Sequence, residues 1–218
     1  MASTPASATI DHGETSEMSY ATKFVNDNWY RKTSTTKSRH ECVTVLNSFS
    51  GCFDSRGYIQ VREMLEGYSG IPSDETLQHV HEIRDKAWSI RTYPCTSLGI
   101  WLTPMISHQE GYFTVLSRLK AGTALLDVGC FIGQELRRLV YDGAPSESLC
   151  GVDIASHWDV GFEMFRDRSK FHAKFIECDI LTPNADLAAL EGTFGVIYIS
   201  QVLHQWGWDA QVAALKEP

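Results

Sequence analysis

The sequence predicts an α/β fold: a mainly parallel sheet with helices wound against it, preceded by a helical N-terminal extension. Three observations carry this. From residue 124 onward, short apolar runs recur with helical segments between them, the pattern that βαβ units leave in a sequence. The first run opens directly into a glycine-spaced turn, Leu125-Leu-Asp-Val-Gly-Cys-Phe-Ile-Gly-Gln-Glu135, as strand-to-helix turns do in parallel sheets. Before residue 122, the apolar residues that can be placed recur at helical rather than strand spacing.

Element by element, residues 1–20 are rich in Ala, Ser and Thr, have little to bury, and are expected to form a disordered tail. An aromatic patch at 24–30 is followed by a Ser/Thr/Lys loop at 33–38, and 40–57 mixes brief β-type alternation with Gly/Ser breakers and is assigned to no element. A helix is expected over 58–67, carrying Ile59, Met64 and Leu65, then a turn through Pro72. Ser73 is the expected N-cap of a second helix, with Asp74 and Glu75 at its positive end and Leu77, Val80, Ile83, Ala87 and Trp88 along one face. Pro94 breaks that pattern, and an amphipathic helix resumes at 112–120, ended by Gly122. Strands are expected at 124–128, 149–154, 174–178 and 194–200, and helices at 133–142, 159–166 and 209–217. The chain therefore divides into a tail (1–20), a helical lid or extension (21–122) and a partial sheet domain (123–218).

Composition narrows the function. At 218 residues the chain suits one main domain, and its hydrophobic and charged fractions, 43% and 21%, are those of an ordinary soluble globular protein. No apolar run reaches the roughly 18 residues that cross a bilayer, and the N-terminus lacks the basic start and apolar core of a secretory signal, so a cytoplasmic location is expected. A net charge of −8, without a clustered basic stripe, argues against nucleic acid as a partner. The six cysteines are scattered with no C-x-x-C pair and no metal-ligand spacing, so no metal site is expected. Cys130, Cys150 and Cys178, in or beside strands, read as buried free thiols.

The chemistry concentrates where strands end. Glycines in the 125–135 turn let a ligand approach the backbone, and the following helix offers free N–H groups. A dinucleotide G-x-G-x-x-G from Gly129 needs glycine at two positions held by Phe131 and Gln134. The acid-x-G-x-G-x-G pattern of S-adenosylmethionine-dependent methyltransferases is met by Asp127, Gly129 and Gly133, with Phe131 in place of the middle glycine. Asp153, at the end of the second strand, stands where Rossmann-like sites put an acid on the ribose hydroxyls. Asp179 and Ile180 follow the third strand, where a polar group meets the adenine amine and an apolar one its ring. A helix cap or a solvated strand end is the alternative role for either aspartate. The expected cofactor contacts are thus Asp127, Gly129, Gly133, Asp153, Ile154, Asp179, Ile180 and Ser200.

These residues sit among longer motifs: Leu65-Glu-Gly-Tyr-Ser-Gly-Ile-Pro72, His79-Val-His81, Ile83-Arg-Asp-Lys-Ala-Trp88, Tyr93-Pro-Cys95, Leu126-Asp-Val-Gly-Cys130, Gly133-Gln-Glu-Leu-Arg137, Asp142-Gly-Ala-Pro145, Phe165-Arg-Asp167 and Val202-Leu-His-Gln-Trp206. From about Leu65 onward the chain resembles the fungal class I methyltransferases of meroterpenoid and related secondary-metabolite pathways, which methylate a substrate carboxyl group. The resemblance implies a Rossmann-like methyltransferase sheet, S-adenosyl-L-methionine as cofactor, a small terpenoid or polyketide-derived acid as substrate, and a homodimer. Against that family, residues 33–57 look additional, and the sequence ends at Pro218 as the helix after the fourth strand begins, so the C-terminal strands are expected to be missing. A non-catalytic fragment or partner subunit is the competing reading.

Methyl transfer from a sulfonium is an in-line displacement, and a carboxylate acceptor with a pKa near ~4.3 is already ionised at neutral pH, so no general base is required. Rate then comes from holding the reactants close, in line and away from water. His204, after the fourth strand, is the expected catalytic residue on the acceptor side, as a hydrogen-bond donor to a carboxylate or a base for a hydroxyl; a surface histidine is the alternative. Trp88 and Tyr93 are candidates for substrate or lid contacts, by cation–π attraction or by plain packing.

Overall fold

The computed structural model describes residues 60–93, 95, 96 and 99–214. The expectations for the tail, the aromatic patch, the 33–38 loop and the 40–57 segment lie outside the described residues, as do Pro94 and the last residues of the final helix.

Four parallel strands form one sheet: β1 (Leu125–Val128), β2 (Leu149–Asp153), β3 (Lys174–Glu177) and β4 (Val196–Ile199). Their order is β3-β2-β1-β4, with Leu125 in register with both Leu149 and Val196. The chain winds outward from β1 to β3 and then returns to place β4 on the other side of β1, which is the Rossmann-like arrangement with its switch point between β1 and β4. All four expected strands are present, each trimmed at one or both ends to the residues that are paired. The two central strands are buried throughout and read as apolar runs because helices and loops cover both faces.

One face packs against α2 (Tyr112–Lys120), α3 (Gln134–Tyr141) and α4 (Trp158–Phe165), where Leu125 and Leu149 meet Leu119, Leu136, Leu139, Trp158 and Phe171. On the other, Leu126, Val128, Cys150 and Val152 meet Cys178, Ile176, Leu187 and Leu190. Cys130, Cys150 and Cys178 are free and buried.

The N-terminal layer differs from expectation in detail. The expected first helix becomes a π-helical segment at its end, Glu63–Tyr68, overrunning the glycine where the sequence placed its stop. The next helix, α1 (Thr76–Ile90), starts three residues after Ser73 and has no side-chain cap. Ser73 is not its N-cap, because its hydroxyl is taken by Arg62 at 2.8 Å. Val80, Ile83 and Ala87 are buried as expected and pack with Val160 and Met164 of α4, whereas Leu77 and Trp88 are only half-buried. Elements that were not expected include a short α5 (Ala185–Ala188), capped by the Asn184 side chain, and the 3-10 turns at Ile100–Leu102 and Ile106–His108. The last described helix is α6 (Trp208–Ala214). Among the described residues no helix is long and apolar enough to cross a membrane.

Candidate functional site

A cavity of about 670 Å³ opens at the carboxyl ends of the strands, where the sheet order reverses. Its floor is the β1–α3 turn. Gly129 adopts φ 75°, and a Cβ there would lie 2.1 Å from Val202 Cγ2, so both conformation and space require glycine. Phe131 takes φ 50°, the left-handed conformation that the middle glycine of the pattern would supply. Its ring is buried against His157, Trp101 and Tyr93, with centroids at 4.6, 6.1 and 6.3 Å, which holds the bulky residue in place.

The polar lining is acidic. Asp153 accepts from the Phe131 N–H (2.9 Å) and the Ala155 N–H (3.3 Å), which fixes its carboxylate at the mouth of the turn. Asp179 accepts from the Leu181 N–H at 2.9 Å. Asp127 is 2% exposed and its Oδ2 has no hydrogen-bond partner. Burial, with the neighbouring Glu135 and Asp153 carboxylates, holds its carboxyl well above the usual range. Glu135 accepts from the N–H groups of Met105 (3.0 Å) and Ile106 (2.8 Å), and burial pushes its carboxyl up to about 7. Among the residues lining the cavity, Arg91 is the only Lys or Arg, and it is exposed, with its guanidinium 5.4 Å from the Tyr93 ring centroid.

Seven of the eight expected cofactor residues line this one cavity: Asp127, Gly129, Asp153, Ile154, Asp179, Ile180 and Ser200. Gly133 does not. At φ 71° its absent Cβ leaves room for Trp158 (2.8 Å) and Arg137 (2.7 Å), so it serves helix packing instead. Tyr93 is on the cavity wall, but Trp88 is not: it lies half-buried on α1. His204, the expected catalytic residue, is exposed and outside the lining. The 3-10 turn Leu203–Gln205 leaves it in solvent while Val202, Gln205 and Trp206 border the cavity. Sequence reasoning missed Thr103, Met105, Gln134, Glu135 and Tyr198 in the lining. Gln134 and Glu135 stood in a quoted motif, and Tyr198 in an expected strand; nothing local marked Thr103 or Met105.

Residues 59–102 match the model of the meroterpenoid methyltransferase N-terminal domain. The chain is 43% identical over 157 residues to the asnovolin E/chermesin D methyltransferase of Aspergillus novofumigatus, covering 71% of this chain and 56% of that protein. It is 39% identical to a methyltransferase of Penicillium roqueforti, over 71% of this chain and 56% of that one. A third relative, an O-methyltransferase of Stereocaulon alpinum, is 40% identical over 69% of this chain and 44% of its own length. Over the stretch it shares with them, the chain is similar to these fungal methyltransferases. It spans about half the length of these curated relatives. Among solved structures, a magnesium protoporphyrin IX methyltransferase from Synechocystis with bound SAM aligns over 84% of this chain and 72% of its own, at 16% identity. Its TM-score of 0.35 is too low to bear on the ligand. The matched N-terminal segment brings Tyr93 and Trp101 to the cavity wall, and the strand ends and the β1–α3 turn supply its floor.

Proposed function

We propose that this cavity binds S-adenosylmethionine and that the chain forms the donor-binding part of a methyltransferase acting on a carboxylate oxygen of a small terpenoid- or polyketide-derived acid. The observation that carries the reading is electrostatic. Asp127, Glu135, Asp153 and Asp179 line the cavity against a single exposed guanidinium, and one buried oxygen of Asp127 is unpartnered. With Asp127 held toward its neutral form by burial, the lining still offers a pyrophosphate only one exposed guanidinium, while its carboxyl groups favour a ligand that brings positive charge and N–H donors. A nicotinamide dinucleotide is disfavoured on that ground and by the side chains at 131 and 134.

When bound, S-adenosylmethionine supplies an electrophilic methyl group on a sulfonium. The chain's residues then divide the binding. Asp153, already oriented by two backbone N–H groups, has lone pairs left for the ribose hydroxyls. Ile154 and Ile180, which line the same cavity, would flank the adenine ring, and Asp179 would accept from its amine. Tyr93, Phe131 and Trp101 form an aromatic wall that would keep water from the reacting atoms. A carboxylate acceptor arrives ionised, so it needs no base in this lining.

Calorimetry tests the reading directly. S-adenosylmethionine and S-adenosylhomocysteine are expected to bind the chain and NAD is not; binding of NAD, or of neither class, overturns it. Where turnover is measurable, the rate on a carboxylic acid with saturating donor should show no steep base-dependent limb between about pH 6.5 and 8.5, because the nucleophile is ionised throughout and only the titration of Glu135, at about 7 in the unliganded chain, bends the profile.

A further inference from the structure

We propose, on the strength of the donor reading above, that Glu135 is a positioning residue that couples a ligand's positive charge to closure of segment 103–106 on the cavity, so that the sulfonium donor is held more firmly than the neutral thioether left after transfer. The segment is strung between two cores. Leu102 packs in the cluster that joins the N-terminal layer to α4, and Ile106 packs with Leu119 and Leu136 in the cluster between α2, α3 and the sheet. Between them, Thr103 and Met105 border the cavity. The N–H groups at the start of a helical turn have no partner within it, and Met105, which opens the turn Ile106–His108, makes no side-chain cap bond. Glu135 supplies the cap from α3, accepting from the N–H of Met105 at 3.0 Å and of Ile106 at 2.8 Å. The same side chain is buried and lines the cavity, so one carboxyl group meets both the ligand space and the segment's backbone.

The groups that face Glu135 offer it no cation. Asp127 on β1 and the Tyr198 phenol on β4 both feel its charge, and Gln134 bonds to it from its own helix. Arg137 and Arg138 of that helix are committed elsewhere, the first to Asp167 and the second to Asp142 and Glu63. His108 of the capped turn lies against Gln60, with Nε2 at 2.6 Å from its side-chain oxygen. Burial without a counter-charge therefore outweighs the two N–H groups and lifts the Glu135 pKa to about 7. A carboxyl group released to solvent would regain its ordinary pKa, so closure alone favours the protonated form and is opposed as pH rises through 7.

A ligand that brings a positive charge reverses that balance. It favours the ionised carboxylate, whose proton leaves to solvent, and an ionised acceptor makes the stronger bonds to the Met105 and Ile106 N–H groups. The charge on the ligand thus tightens the segment that walls the cavity. S-adenosylmethionine and S-adenosylhomocysteine share the adenosine and the amino-acid group; they differ in the methyl group and the charge it puts on sulfur. Once the methyl is transferred, the charge that held Glu135 ionised is gone, and the segment loosens around the spent nucleoside.

Titration calorimetry on the whole chain tests this, with each nucleoside at about pH 6 and about pH 8, in the wild type and in Glu135→Gln. From the lower to the higher pH, the preference of the wild type for S-adenosylmethionine over S-adenosylhomocysteine should grow several-fold more than that of the variant, whose amide does not ionise. The ceiling is about 10-fold, the ratio of the ionised fractions of a group of pKa about 7 at those two pH values. The ligands' amino groups and Asp127 titrate in both chains, so the difference between the chains belongs to Glu135. A second measurement needs no variant: in the wild type at about pH 8, the Met105 and Ile106 amides should exchange more slowly with saturating S-adenosylmethionine than with saturating S-adenosylhomocysteine, while those of 200–206 slow alike with both. An equal change of preference in the two chains overturns the coupling and assigns the proton to Asp127 or the ligand. So do Met105 and Ile106 amides that slow alike with the two nucleosides. If neither nucleoside binds the wild type at either pH, the donor reading itself fails, and the coupling with it.

Discussion

Glu135 is 5% exposed, yet its carboxylate has two backbone N–H groups to accept from, at Met105 and Ile106. Desolvation still wins, lifting its pKa from 4.5 to about 7. Between those values the unfolded chain releases a proton that the folded chain keeps. The stability associated with this group is therefore full below about pH 4.5 and falls as pH rises to about 7, by about 3 kcal/mol in the limit. Glu135→Gln, which cannot ionise, should remove that slope: the wild-type advantage over the variant in urea unfolding should shrink from pH 4.5 to pH 8. A difference independent of pH would refute the assignment. The residue stood in a quoted motif, but its partners lie 29 and 30 positions away, and no local pattern announces such a tether. Gly129 and Asp153 were legible because their causes are local: a turn that needs glycine, and a strand end that faces a ligand. Phe131 was legible only as a missing glycine; the aromatic wall that stabilises its left-handed backbone assembles from residues far along the chain.

Between elements, a fully buried ion pair joins α3 to the segment after α4, and the N-terminal layer bonds to it through Tyr68. Arg137 of α3 meets Asp167, just beyond α4, through Nε at 2.7 Å and Nη2 at 3.2 Å, with both side chains fully buried. A third N–H bonds to the Ile132 carbonyl at 2.6 Å, and the guanidinium lies 4.1 Å from the Phe171 ring centroid and 4.9 Å from that of Phe165. Tyr68 at the end of the π-helical segment donates to the same Asp167 at 2.8 Å. Burial lowers the Arg137 pKa and Asp167 opposes that shift, so removing the carboxylate leaves a cation with no charge to balance it. Asp167→Ala should cost about 3–5 kcal/mol in chemical denaturation, against about 1 kcal/mol for Tyr68→Phe, which deletes one hydrogen bond. Comparable losses for the two would show that the ion pair contributes no more than the single Tyr68 hydrogen bond. The motifs Gly133–Arg137 and Phe165–Asp167 carried the family resemblance, but only the fold shows that they are two halves of one contact. Strand positions, in contrast, were readable, because a parallel sheet buried on both faces leaves apolar runs that no tertiary detail disguises. Helix starts were less so: Ser73 had cap chemistry and spends its hydroxyl on Arg62.

Across the whole molecule, the cavity is where separately stabilised parts meet. The N-terminal segment contributes Tyr93, Trp101, Thr103 and Met105, the strand ends contribute Asp127 and Asp153, and the turn after β4 contributes Val202, Gln205 and Trp206. The first of these parts packs in one cluster with α4 and with Phe131 and Ile132 of the β1–α3 turn, and the sheet's other face in another. A ligand that touches all three must tie them together, and linkage sets how strongly. At a ligand concentration 100 times Kd the gain is about 2.7 kcal/mol, which for a chain of this size is a rise of roughly 5–10 °C in Tm. The gain should also have an address. Hydrogen exchange with saturating S-adenosylhomocysteine should slow most at the amides of 99–106 and 200–206, the two segments that reach the cavity without belonging to the sheet, and least in α2, which packs behind it. A uniform slowing over the described residues would mean that the ligand acts only on global unfolding, and that the N-terminal segment and the turn after β4 are already fixed to the sheet without it.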